Sequence, residues 1–303
     1  MVDLIGVPPQ VLFGQLLLGL INGSFYALLS LGLAVIFGML NVINFAHGGA
    51  LYMAGAFTAY FLLTYLGIGY CPALLLAPLI VGAVGILIEK TMLGRLYKLD
   101  HLYGLLLTFG LALIIEGLFR NAYGVSGRPY PIPEALAGGH NLGFMFLPTY
   151  RGWVVVASLI VCFGTWFLIE RTRLGAYLRA GAENPTLVRA FGINVPVMMT
   201  LTYGFGVALA AFAGVLAAPI FQVNPLMGSD LIIVVFAIVV IGGMGTILGP
   251  VAGAFIVVTL QNYLAQFGGW VTVITGAIFV VCVLLFRRGM VGELTQLFRS
   301  RPG

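Results

Sequence analysis

Two amides, an imidazole and a diglycine stand together in Asn41–Val42–Ile43–Asn44–Phe45–Ala46–His47–Gly48–Gly49, between two long apolar runs. No Lys or Arg falls in this stretch, so it does not read as an ordinary water-exposed connection. Polar backbone between apolar segments is tolerated where it lines a cavity or is enclosed by protein. Asn44 can cap the helix that follows, leaving its first amides facing a carboxylate or carbonyl of a substrate. A tight, wet turn in which Asn44 only caps is the other reading. A second break, Gly242–Gly243–Met244–Gly245–Thr246–Ile247–Leu248–Gly249–Pro250, repeats glycine at 245, 249 and 253. That spacing lets helix backbones approach closely, and it also fits two broken segments facing each other near a pore. Asn22 and Ser24 bring hydrogen-bonding groups into the first apolar run, as glue between helices or as pore lining. The candidates for a translocation path are therefore Asn22, Ser24, Asn41, Asn44, His47, Gly48, Gly49, Gly242, Gly243 and Gly245.

Enzyme chemistry finds little support. Glu116 lies well inside an apolar run, but Arg120 follows at i+4 in the favourable order for a helical ion pair. Gly124–Val125–Ser126–Gly127 offers a serine, yet the later His140 falls in the same loop and no apolar run supplies a base. His47 has no second ligand at metal-binding spacing, and Cys71, Cys162 and Cys282 are scattered through apolar runs with no pairing framework. The lysines, Lys90 and Lys98, follow Glu and Tyr, so there is no Gly-Lys phosphate loop. No catalytic residue, metal or cofactor is expected on this chain. If ATP drives anything, another subunit binds it.

These groups need a scaffold, and composition says which. The chain is 61% hydrophobic and 8% charged over 303 residues, a third of the usual charge, so its solvent is a bilayer. An all-α polytopic fold is expected, one domain over 1–303. Runs of spanning length fall at 11–38, 46–68, 72–89, 103–122, 152–170, 197–221, 231–248, 251–267 and 270–286. The stretch around Gly242–Gly249 can instead join two half-helices into one re-entrant unit, giving eight or nine spans, some broken, with a possible inverted repeat. MVDLIGVPPQ carries no basic residue, so the first run is expected to be retained rather than cleaved.

Of fourteen basic residues, eleven gather at Lys90–Lys98, Arg171–Arg189 and the tail from Arg287, against Arg120, Arg128 and Arg151 around the opposite loop. The positive-inside bias places those eleven and the C-terminus in the cytoplasm and leaves 123–150 as an external loop, its Pro129, Pro131 and Pro133 forbidding long regular elements. The same bias accounts for the net charge of +5, so nucleic acid is not implied.

The cytoplasmic segment 171–197 holds a compact helix signature: Asn184 as N-cap, Pro185 at the first position, Gly192 as left-handed stop. Leu187 and Phe191, at i and i+4, share one face. A helix this short is marginal in water unless it docks, on this chain's own membrane-facing surface or on another protein.

NGSFYALLSLGLAVIFGMLNVINFAHG (22–48), RLGAYLRAGAENPTLVRAFGINV (173–195) and VVIGGMGTILGPVAGA (239–254) together carry a resemblance over nearly the whole chain. It resembles the permeases of high-affinity branched-chain amino acid importers of the ABC type, and the shorter of the two that pair there. The resemblance implies a bacterial inner-membrane location, a second homologous permease, two cytoplasmic ATPases that use ATP, and a periplasmic binding protein. Ala182, Glu183 and Gly192 match the coupling loop of such importers, although its Glu-Ala-Ala reads Ala-Glu-Asn here. The coupling candidates are Ala182, Glu183, Asn184, Pro185, Leu187, Val188, Phe191 and Gly192. Related systems carry amides, urea or other apolar amino acids. An ion-coupled secondary transporter and a scaffold that merely docks a partner compete with this reading.

Overall fold

A computed structural model describes residues 9–40, 44–97, 99–141, 143, 145–229, 231–243, 246–265, 268–285 and 289. Asn41, Lys98, Gly245 and the arginines from Arg287 onward lie outside them. Helix α1 spans Pro9–Leu40, and α2, Tyr52–Leu66, is entered through a π-turn at His47–Leu51. Helix α3, Tyr70–Ile88, continues through a second π-turn, Glu89–Leu93, to Leu96. Helices α4 (His101–Tyr123) and α5 (Thr149–Arg171) follow, then the short α6 (Arg173–Glu183) and α7 (Pro185–Ala190). The chain closes with α8 (Val195–Phe221), α9 (Leu231–Gly242), α10 (Leu248–Leu264) and α11 (Trp270–Leu285). Most described residues of each long apolar run are helical, the form that satisfies backbone amides without water.

Six of these segments are long and apolar enough to cross a membrane: α1, α2 with its π-turn, α3 to Leu96, α4, α5 and α8. The 231–248 run does not continue as one helix. It stops at Gly242 because Gly243 takes φ +114°, open to glycine and strained for other residues. The 12 residues of α9 rise about 18 Å, against a hydrocarbon core of about 30 Å. Gly242 packs directly on Gly249, and Gly253 faces the Ile238 carbonyl, so α9 and α10 run back along each other as a hairpin.

Helix α8 is the axis of the body. Its buried Ala210, Ala211, Ala213, Ala217 and Ala218 let neighbours approach to backbone distance. Gly55 of α2 seats on Ala211, and Gly214 receives the Tyr52 carbonyl; Gly32 of α1 meets Gly206, and Gly82 of α3 meets Gly204. Helix α1 also packs on α10 through Gly19 against Thr259 and Gly23 against Phe255. At one end of α8 the Tyr150 hydroxyl lies 2.9 Å from both the Tyr70 hydroxyl and the Leu216 carbonyl, tying α3 and α5 to the axis. Helix α4 is peripheral, held to α2 by Phe57 against Phe119 and Tyr123, with ring centroids 4.7 Å apart in both pairs.

Between α4 and α5, the described residues of the loop hold a 3-10 turn and a hairpin of β1 (Gly139–Asn141) with β2 (Phe146–Pro148). An isolated bridge joins Arg128 to Val223 just past the end of α8. Helices α6 and α7 sit at the other end of α8, so the loop and the arginine-rich segment lie at opposite poles of the molecule.

Candidate translocation and coupling sites

The break before α2 is a folded polar knot. The Asn44 Oδ1 accepts from the Ala46 amide (3.0 Å), while Nδ2 donates to the Tyr203 hydroxyl of α8 (2.9 Å). The His47 Nε2–H donates to the Leu29 carbonyl of α1 (3.0 Å), and Nδ1 has no partner among the described residues. The Phe45 amide donates to Thr108 Oγ1 of α4 (3.1 Å). Gly48 lies against Ile232 and Gly49 against Gly228, so the turn between α8 and α9 reaches the start of α2. Asn44 therefore closes a local turn and ties the break to α8, while the N-cap position of the π-turn falls on Ala46 rather than on Asn44. Asn44, His47 and Gly48 are buried inside this chain, against an expectation that they line an open path.

The other path candidates are dispersed. The Ser24 hydroxyl turns back to the Leu20 carbonyl of its own helix (2.8 Å) and is fully buried. Gly242 and Gly243 serve backbone contact, with Gly249 and Gly289 respectively. Asn22 does face open space. It lines a cavity of about 390 Å³ whose walls include Tyr52, Asn224, Gln261 and Asn262. The consecutive amides Gln261–Asn262 within the 251–267 run are the sequence signal for this cavity. Glu116 pairs with Arg120 at 2.7 Å as its spacing predicts, and also accepts from the Ser229 hydroxyl at 3.0 Å.

At the arginine-rich pole, the Asn184 side chain accepts from the Leu187 amide at 3.0 Å, Pro185 opens α7 and Gly192 takes φ +81°. Val188, 5% exposed, anchors the helix inward. Leu187 and Phe191 point away from the chain, 55% and 77% exposed, and Glu183 is exposed beside them. Helix α6 is held by Arg179, whose guanidinium donates to the Ile169 carbonyl at 2.7 Å. Beneath α7 opens a cleft of about 680 Å³, lined by Ala182, Pro185 and Arg189 on one side and Lys90, Arg95 and Thr200 on the other.

That cleft holds a carboxylate the sequence did not single out, because Glu89 sits at the end of an apolar run beside Lys90. Glu89 is 3% exposed and accepts from the Tyr97 hydroxyl (2.8 Å) and the Thr200 hydroxyl (2.6 Å), linking the end of α3 to the start of α8. Burial, and then the adjoining Glu89, raise Tyr97 above the usual phenol range, so it remains a donor at neutral pH. Glu89→Ala leaves Tyr97 without its acceptor. It should lower unfolding stability by about 1–3 kcal/mol, read as a lower melting temperature in detergent. An unchanged melting curve would contradict the link.

With this geometry in hand, comparison with known proteins gives a consistent result. Residues 15–286 match the model of the family described as branched-chain amino acid transport system / permease component. The chain is 31% identical over 297 residues to the high-affinity branched-chain amino acid transport system permease protein BraD of Pseudomonas aeruginosa, covering 92% of this chain and 95% of that one. It is 27% identical to LivH of Escherichia coli K12, with the same coverages. It is 26% identical to LivM of the same organism, over 92% of this chain and 70% of LivM. No solved structure matches.

Proposed function

The chain belongs to the branched-chain amino acid transport permease family, and on that premise we propose that it is one of two homologous membrane subunits of an ABC-type importer for branched-chain or similar hydrophobic amino acids. The observation that carries the reading is α7: a capped helix, anchored by Val188, that presents Leu187 and Phe191 outward from a chain with no phosphate loop. Such a face fits a groove on a separate ATPase, two of which drive the assembly with ATP. Similarity to both LivH and LivM supports a second permease of the same fold. A periplasmic binding protein delivers the ligand at the pole of the 123–150 loop. The charge bias supports a cytoplasmic arginine-rich pole and C-terminus, and the importer reading puts the chain in a bacterial inner membrane.

Ion coupling would need a carboxylate free to exchange ions along the path. Glu116 is engaged by Arg120 and Ser229, and Glu89 by two hydroxyls. The test is the energy source. In cells carrying the complete importer, leucine uptake should persist with a protonophore present and stop when ATP is depleted. Uptake that collapses with the protonophore while ATP is held constant would overturn the reading.

A further inference from the structure

The cavity that takes in Asn22 lies between α1, the start of α2, the turn after α8, and α10. Its polar lining is Asn22, Asn224, Gln261, Asn262 and the hydroxyl-bearing Tyr26 and Tyr52, and no ionised side chain joins them. These amides come from three separate elements, and amides set in apolar helices are costly unless they find partners. The Asn262 Nδ2 is buried with no partner among the described residues. Phe25, Leu231 and Val258 line the same cavity, giving it apolar surface beside the amides. The cavity's position follows from features already described. The knot at Asn44 and the π-turn bring Tyr52 to its wall, and Gly214 fixes the Tyr52 backbone against α8.

We infer that this cavity is a binding site for a neutral α-amino acid in transit, its ammonium and carboxylate taken by carboxamides and its aliphatic side chain by the apolar residues that line it. Each carboxamide both donates and accepts, so a set of them answers the two opposite charges of a zwitterion with no net charge of its own. A ligand with a third charge, such as lysine or glutamate, enters without a counter-ion and is disfavoured by desolvation. The volume lies within the range of small-ligand pockets. The inference rests on the importer reading and adds to it where the ligand pauses and why charged amino acids are refused.

The test uses the complete importer in proteoliposomes, with Cys71, Cys162 and Cys282 replaced by alanine. Labelling of Gln261→Cys by a water-soluble maleimide should be slowed severalfold by millimolar leucine and not by lysine or glutamate. Gln261→Leu and Asn22→Leu, on different helices so that misfolding of one leaves the other informative, should each lose about tenfold in leucine uptake, equivalent to about 1.4 kcal/mol for one polar contact. Labelling indifferent to leucine, or slowed equally by lysine, overturns the assignment, as do both leucine variants retaining wild-type uptake. Any of these leaves the importer reading intact if the parent assembly accumulates leucine with ATP. A parent assembly that accumulates no neutral amino acid sinks the importer reading, and this inference with it.

Discussion

Gly214→Leu is expected to yield no folded protein. A Cβ at this position falls on the Tyr52 carbonyl oxygen and within 3.0 Å of the Ala56 amide nitrogen. One turn away the same crossing is repeated from the other side, with Gly55 pressed against the Ala211 backbone. Neither obstacle is the end of a flexible side chain, so relief requires separating α2 from α8. That separation opens the centre of the body, where Ala210, Ala211, Leu216 and Met53 are buried. Overpacking a core typically costs about 1–3 kcal/mol. Here backbone meets backbone on both helices, so Gly214→Ala should already reach the upper end of that range, and leucine exceeds it. The readout is monodispersity on size exclusion after mild detergent extraction, with the melting temperature for the alanine variant. Gly164→Ala is the control, since nothing lies within 4 Å of a Cβ built there. It should be neutral or slightly stabilising, as alanine is the better helix former. A Gly214→Leu protein that elutes and melts like wild type would show the close crossing is wrong.

Those glycines mark what a single chain of letters discloses and what it withholds. Caps are local, so Asn184, Pro185 and Gly192 define α7 from sequence spacing alone. Spacing also pairs Glu116 with Arg120. The break near Asn44 is legible because amides interrupt apolar runs. Its partner is not, since Tyr203 lies 159 positions away and is one tyrosine among thirteen. Without that partner, a buried cross-link and an open lining look alike. Glu89 stayed hidden for a related reason. A carboxylate beside Lys90 at the end of an apolar run reads as a water boundary, and only the folded approach of Tyr97 and Thr200 encloses it. The shortness of α9 was half visible, since Gly243 marks a possible stop, but apolar letters continue through Ile247 and Leu248. Membrane helices are apolar on every side, so periodicity does not tell a lipid-facing side from a packed one. Facing directions come from packing alone.

Phe191→Asp should abolish uptake while leaving the permease itself intact. Phe191 and Leu187 project from the arginine-rich pole and contribute little to the chain's own core, so their removal does not open a cavity. A partner groove that receives an exposed phenylalanine at the centre of a contact makes it a hot spot, where truncation typically costs about 2–4 kcal/mol. An aspartate in the same place also buries a charge with no counter-ion, so the effect goes beyond truncation. Association of the ATPases with the membrane subunits should therefore weaken by about a hundredfold or more, and ATP-driven leucine uptake should fall to background. Leu187→Asp should act in the same direction and more weakly, because Leu187 is smaller and less exposed. Val188→Asp provides the contrast. Val188 is the inward anchor, so this variant should lower the melting temperature of the permease itself, which Phe191→Asp leaves unchanged. Co-purification of the ATPases, melting temperature and uptake, measured on the same preparations, separate a lost interface from a lost fold. If Phe191→Asp retains its ATPases and takes up leucine at the wild-type rate, the exposed face of α7 is not the coupling surface.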